Sequence, residues 1–326
     1  MIKLISPTTL REKGVLGMNR RNIGFIGKYN QRHRYPLVDN KLKTKSAAVE
    51  QGIPTPELYG VVDHQFQVVT LIEQLKTRDS FVIKPAQGSG GKGILVITGR
   101  NGDLFVKSTG VELNAREVMR HTSNILAGLY SLGGRNDCAM IEALIDFDPC
   151  LKGYSYEGVP DIRVVVFHGV PVMAMLRCAT HASDGKANLH QGAVGVGIDI
   201  ATGSSICAVQ HNHVINSHPD TNAKFSELQI PHWDKILEMA ANCAELTGLG
   251  YLGVDIVLDR QRGPMLLELN ARPGLAIQVA NQAGLRHRLA VAQEIADQAQ
   301  DHQARIQLAQ ERFSSALSVQ IPLGVE

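Results

Sequence analysis

The 326-residue chain has almost no net charge: 33 Lys and Arg face 31 Asp and Glu, a balance of +2. Proteins recruited to nucleic acid by bulk charge carry a larger basic excess, so no nucleic-acid partner is expected. Cysteine is sparse and scattered. The five residues (Cys138, Cys150, Cys178, Cys207 and Cys243) include no C-x-x-C pair, and an odd number cannot close a complete internal disulfide framework. A reducing, cytoplasmic setting is expected. No apolar run approaches the roughly twenty residues that span a bilayer. The opening MIKLISPTTLREKG lacks a sustained apolar region, so neither a signal peptide nor membrane insertion is expected. Two chemical devices are also missing. No G-K-[ST] opens a helix, which excludes a Walker phosphate loop, and no Ser or Cys elbow is evident. With 44% apolar residues, the length allows one large domain or two or three lobes.

What is present centres on GYLGVDIVLDRQRGPMLLELNARPGL, residues 250–275. It reads as two short strands joined by a turn at Asp259–Gly263. A period of two places Leu266, Glu268 and Asn270 on one face and Met265, Leu267 and Leu269 on the other. A hairpin brings Asp255 alongside Glu268 and Asn270. Two carboxylates and an amide oxygen suit a hard cation such as magnesium, which takes oxygen ligands and keeps waters and phosphates in its shell. An ordinary hairpin with its charges in solvent has the same alternation. The flanking G-V-D-I and N-x-R-P-G favour the cation, because Pro273-Gly274 ends the strand just past the ligands.

Further upstream, SFVIKPAQGSGGKGILVIT places a glycine-rich loop, residues 88–93, between strands at Phe81–Lys84 and Ile94–Thr98. Glycines such as Gly90 and Gly91 let backbone N–H groups approach phosphate oxygens, and Lys92 adds charge. A flexible hairpin tip is the bland alternative. Met1–Val38 is basic and reads as an irregular arm, either solvated or forming a positive rim for anions. Asp39–Pro56 reads as a helix capped by Asp39 or Asn40 and stopped by Gly52 and Pro54, with Lys43 and Lys45 facing solvent. Leu113–Leu132 reads as a core helix and Ala139–Ile145 as a buried strand whose Glu142 needs a partner. Val159–Arg177 reads as a hairpin turning at His168-Gly169. Gln210–Trp233 holds His211, His213, His218 and His232, but H-x-H lacks a second pair at metal spacing, and zinc is not expected. Trp233–Leu249 reads as a core helix. Gln278–Leu317 reads as one or two helices with a stripe from Leu289 to Phe313, packing on its own lobe or on another subunit of a homo-oligomer.

The run GVDI…LLELNARPGL, taken with K-P-x-x-G, D-I-R and K-x-N-L-H, resembles the signature of ATP-grasp carboxylate–amine ligases. It looks most like the RimK-type, alpha-L-glutamate ligase-like relatives, while HPD and IPHW resemble a subgroup associated with sugar-transfer genes. The resemblance covers roughly residues 39–290 and implies an α+β ATP-grasp fold, two lobes gripping ATP. Residues 1–38 would then be a truncated pre-ATP-grasp segment, 39–145 lobe one with its glycine-rich lid, 146–290 lobe two with the metal site, and 291–326 a C-terminal helix. It implies that Asp255, Glu268 and Asn270 hold Mg2+, with Mn2+ as a substitute. Lys41, Lys84, the Gly90, Gly91 and Lys92 loop, Lys186 and Asn188 would hold the ATP phosphates. Glu142, Ala143 and Leu144 would meet the adenine edge, and Asp161 the ribose. Arg163 and Arg177 would stabilise the transferring phosphate, an Arg fork suiting it bidentately. Arg272 stands where RimK-type enzymes often have Ser and would clamp a substrate carboxylate. His190 is read as structural. Relative to the RimK type, residues 146–160 and 210–233 are expected insertions. The implied activity joins a small-molecule or peptide carboxylate to an amine such as an amino acid, through an acyl phosphate. Phosphorylation without amide formation, or silent nucleotide binding, are the alternatives.

Overall fold

The computed structural model describes residues 5–88, 90–131 and 133–314. Leu132 of the expected helix and residues 315–317 of the expected C-terminal stripe lie outside them. The chain divides into two compact units.

The first unit comprises Asp39–Ser46 and Thr55–Asp146. Its antiparallel sheet has six strands: β1 (Leu58–Val62), β2 (Phe81–Pro85), β3 (Leu95–Asn101), β4 (Leu104–Lys107), β5 (Glu112–Leu113) and β6 (Ala139–Glu142), in the order β1-β6-β2-β3-β4-β5. Two helices cover it. Gln67–Leu75 buries Val68, Leu71, Ile72 and Leu75, spaced i, i+3, i+4, i+7. Ala115–Leu126 starts with a capping box in which Asn114 and Glu117 satisfy each other's backbone N–H. It buries Val118, Thr122 and Ile125.

The second unit takes the residues up to Val38, Ala47–Pro54 and the chain from Phe147 onward. Its antiparallel sheet has seven strands: β7 (Asp161–Phe167), β8 (Val170–Cys178), β9 (Val194–Ile198), β10 (Ser205–Gln210), β11 (His213–Ile215), β12 (Tyr251–Asp259) and β13 (Gly263–Asn270), ordered β11-β10-β9-β8-β7-β12-β13. The expected hairpin turns at His168-Gly169, both with positive φ, and pairs Asp161 with Arg177 across β7 and β8. Helix Trp233–Thr247 buries ten residues and ends on Gly248 in the left-handed conformation, a cap that relieves its last carbonyls. The C-terminal region forms helices Leu285–Gln298 and His302–Phe313. They pack on their own sheet: Arg288 Nη1 donates to Val172 O at 3.1 Å and Arg305 Nη1 to His168 O at 3.0 Å. No described helix is long and apolar enough to cross a membrane.

Three expectations need correction. The basic N-terminal stretch is mostly helical rather than irregular: Pro7–Glu12, Met18–Arg21, a π turn at Asn22–Ile26 and Tyr35–Asp39. Tertiary bonds order it. Buried Asn30 exchanges bonds with Tyr251, donating to its carbonyl at 2.7 Å and accepting from its N–H at 2.9 Å, and donates to Ala271 O at 3.0 Å. Next, β13 does not alternate strictly. Asp255 pairs with Glu268 but Ile256 pairs with Leu266, so Leu267 bulges out. The bulge puts Met265, opposite Val257, on the face of Glu268. Finally, Lys45 is buried, not solvent-facing. Asn40 is the cap of its helix, accepting from Leu42 and Lys43 N–H, and Lys45 pairs with Glu142 at the end of β6.

Candidate functional site

Strands β8, β7, β12 and β13 lie side by side, and their register sets six polar residues on one face of the sheet. Asp255 on β12 is opposite Arg163 on β7 and Glu268 on β13; Asp161 on β7 is opposite Arg177 on β8; Asn270 follows two residues after Glu268. Arg163 forks onto Asp255, Nε to Oδ1 at 2.7 Å and Nη2 to Oδ2 at 2.5 Å. Arg177 bridges two carboxylates, with Nε 2.5 Å from Asp161 Oδ1 and Nη2 2.7 Å from Asp255 Oδ2. Asn270 Nδ2 donates to Asp255 Oδ2 at 3.2 Å and reaches Glu268 Oε1 at 3.5 Å. The structure thus gathers the expected metal and phosphate-clamp residues, but it pairs the arginines with carboxylates.

Burial makes these pairings strong. Asp255 is fully buried, which pushes its carboxyl up, yet two guanidinium groups hold it down at about 2. Asp161 shows the opposite balance: burial outweighs Arg177, and with the Asp255 charge nearby it is raised to about 6. Arg177 is itself disfavoured by burial but is held charged by Asp161 and Asp255.

The donor set suits a hard cation: two carboxylates and an amide, all offering oxygen. Among the described residues no three His, Cys, Asp or Glu side chains form a ligand group, and the Asn270 amide stands beside the two carboxylates as a third protein ligand. Its Nδ2 points at both carboxylates, where a cation would find them. Turned about its Cβ–Cγ bond, the amide offers its oxygen instead. Asp255 already takes four donor contacts, and half-buried Glu268 and Asn270 lie beside it.

The other expected residues of this unit are more open. Arg272 is exposed and lies over the Tyr35 ring at 4.9 Å, a contact supplied by the N-terminal helices. Lys186 pairs with Asp184 at 3.0 Å. Asn188 Oδ1 accepts from His190 N–H and caps the short helix Leu189–Gln191. His218 is buried and structural, its Nε2 3.0 Å from Ala179 O and its Nδ1 accepting from Asp220 N–H. The two expected insertions meet: Tyr154 stacks on Phe225 with ring centroids 5.9 Å apart.

In the first unit, β2 ends in Lys84-Pro85 and runs straight into the glycine-rich loop. Gly90, Gly91 and Gly93 all have φ between 64° and 76°, a region only glycine enters freely. A Cβ on Gly91 would meet nothing, whereas one on Gly93 would strike Tyr130, so the loop tip is open and its return is packed. Lys92 is exposed. Lys41 Nζ donates to Gly88 O at 2.7 Å. Asp137, which the sequence did not single out, holds the base of the loop by accepting from Gln87 N–H at 2.9 Å and Ser131 Oγ at 2.6 Å. At the end of β6, Glu142 sits between two ammonium groups, Lys84 Nζ at 2.5 Å and Lys45 Nζ at 2.9 Å. Burial pushes Glu142 up, but the two lysines outweigh it and hold the carboxyl below its usual range. β6 stops at Glu142, short of the expected Ile145, and the Ala143 N–H donates to Glu57 O at 2.9 Å, in register with the Leu58–Glu142 pair.

Residues 20–294 match the model of the sugar-transfer associated ATP-grasp family. No curated protein sequence matches the chain. Among solved structures, the chain is similar to the ATP-grasp ligase PsnB complexed with minimal precursor (14% identity, TM-score 0.43) and spans 82% of itself and 64% of that chain. It is similar to the D-cycloserine synthetase DcsG at 14% identity and TM-score 0.46, covering 86% of this chain and 72% of that one. It is similar to the D-alanine–D-alanine ligase from Bacillus anthracis complexed with ATP at 16% identity and TM-score 0.40, covering 89% and 70%.

Proposed function

This chain belongs to the sugar-transfer associated ATP-grasp family and has the ATP-grasp fold, and on that premise we propose that it is an ATP- and magnesium-dependent ligase joining a carboxylate to an amine. The observation that carries this reading is the buried cluster on the face of β8, β7, β12 and β13, where Asp255 is kept ionised by Arg163 and Arg177 beside Glu268 and Asn270. Glu268, Asn270 and Asp255 would hold the magnesium ion, with manganese as a substitute. When bound, the ion neutralises phosphate charge and acts as a Lewis acid on the transferring group.

The chain's own residues supply the rest. Lys41, Lys84 and the loop of Gly90, Gly91 and Lys92 hold phosphate oxygens. Lys186 and Asn188 add polar contacts to them. Glu142, Ala143 and Leu144 meet the adenine edge, although the Ala143 N–H is already bonded, which leaves carbonyls and the Leu144 amide for the base. Asp161 would share its carboxylate between Arg177 and a ribose hydroxyl. Arg163 and Arg177 would steady the transferring phosphate indirectly, by holding Asp255 ionised and in place. A substrate carboxylate, clamped by exposed Arg272, attacks the γ-phosphorus in line and gives an acyl phosphate and ADP. The amine then attacks the acyl carbon and phosphate leaves. Positioning and electrostatics dominate such a transfer, which needs no covalent nucleophile. The motifs resembling RimK-type glutamate ligases support glutamate or a similar amino acid as the amine.

The test is ADP release by purified protein with magnesium and ATP against a panel of carboxylates and amino acids. Release that needs both an acid and an amine supports the ligase. Release that needs the acid alone makes the protein a phosphotransferase. Nucleotide binding without release under any pair makes it a silent binding partner.

A further inference from the structure

The first unit buries two ammonium groups against one carboxylate. Glu142 is 3% exposed, Lys45 7% and Lys84 6%. Lys45 Nζ lies 2.9 Å from Oε1 of Glu142 and also donates to the carbonyl of Pro56; Lys84 Nζ lies 2.5 Å from Oε2. Three charges out of water, one of them uncompensated, is a costly arrangement for folding alone. Burial lowers Lys45 below the usual lysine range, and Lys84 adds to this, while Glu142 only partly offsets it. The two partners of the pair therefore differ: Glu142 gains from two cations, whereas Lys45 has one anion and a second cation beside it. The Lys45 charge is thus costly to keep in the fold.

Geometry indicates what it does. Glu142 pairs with Val82 in register and Lys84 lies two residues further along β2, so Lys84 reaches Glu142 on the diagonal of the sheet and stands just before the glycine-rich loop. Were Glu142 and Lys84 alone, they would form a tight buried pair. An anion approaching Lys84 would then have to break it and leave a buried carboxylate bare. Lys45 removes that penalty. Its own ammonium is buried and held by Pro56 O and the other carboxylate oxygen, Oε1 of Glu142.

We propose that Lys45 is a positioning residue of the nucleotide site: it keeps Glu142 paired so that Lys84 is free to give its charge to a phosphate. This rests on the nucleotide reading above. It differs from a direct role, because Lys45 would act only through Glu142.

A double-mutant cycle separates the cases. Binding of a magnesium complex of a non-hydrolysable ATP analogue is measured by calorimetry for the wild type, Lys45→Met, Lys45→Arg, Glu142→Gln and the Lys45→Met/Glu142→Gln pair. Lys45→Met should weaken binding roughly 10- to 100-fold, the scale of a lost charge-assisted contact. Lys45→Arg should restore it. In the Glu142→Gln background, where no buried anion holds Lys84, Lys45→Met should change affinity less than about threefold. That comparison also serves if Lys45→Met alone does not fold, since the double variant buries no unpaired carboxylate. Equal losses in both backgrounds, or no loss in either, would overturn the inference while leaving the nucleotide reading intact. A wild type that binds no magnesium nucleotide would overturn both.

Discussion

Removing Arg177 tests the buried cluster most directly. Its guanidinium is the cation that bonds Asp161 and one of two that bond Asp255, with side chains 14%, 7% and 0% exposed. Exposed ion pairs contribute about 0–1 kcal/mol, but breaking a buried one leaves a bare charge and costs about 3–5 kcal/mol. In Arg177→Met, Asp255 keeps the Arg163 fork, so the loss falls on Asp161 and about 3 kcal/mol is expected at pH 8. That corresponds to a drop of roughly 6–12 °C in the melting of this unit. Adding Asp161→Asn removes the orphan charge and should return more than half. The pH dependence has a definite sign. Asp161 is already raised to about 6, and without Arg177 it rises further. A carboxyl raised in the folded state takes its proton there before the unfolded chain does, so stability grows as pH falls from the folded value toward about 3.9. The deficit of Arg177→Met should therefore be largest at pH 8 and shrink toward pH 5. Thermal and urea denaturation across that range are the assays. A loss below about 1 kcal/mol, or no rescue by Asp161→Asn, would refute the reasoning.

Glu268→Gln keeps the shape opposite Asp255 and removes one of two crowded carboxylates, so metal-free protein should melt at the same temperature or slightly higher. With a productive substrate pair, its ADP release should fall by orders of magnitude; early melting with wild-type turnover would defeat the metal reading. Lys84→Ala should weaken nucleotide binding in calorimetry by a few kcal/mol, and unchanged affinity would remove Lys84 from the site. Backbone hydrogen exchange at Gly90, Gly91 and Gly93 should slow when the magnesium analogue binds, whereas equal exchange would make the loop a mere hairpin tip.

The sequence alone determined the features that rest on local period and local chemistry. Alternation and the Gly-Pro turn placed Glu268 and Asn270 on a hairpin with Asp255, and the β12–β13 pairing brings the three together. The glycine-rich loop follows β2 as its position after Lys84-Pro85 implied, with Gly90, Gly91 and Gly93 at positive φ. HPD and IPHW pointed to the sugar-transfer subgroup, the one whose model matches. What pairs with what was decided by tertiary structure. No pattern within D-I-R says that Arg163 forks onto a carboxylate 92 residues away, because register between β7 and β12 exists only in the folded sheet. The bulge at Leu267 breaks a period that the sequence shows as unbroken, since a bulge is a property of two strands and not of one. Lys45 looks like any helix lysine until β6 brings Glu142 to it, and the basic N-terminal stretch looks irregular until Asn30 meets Tyr251. Period is written along a single strand or helix, whereas burial and charge pairing depend on residues that only folding brings near.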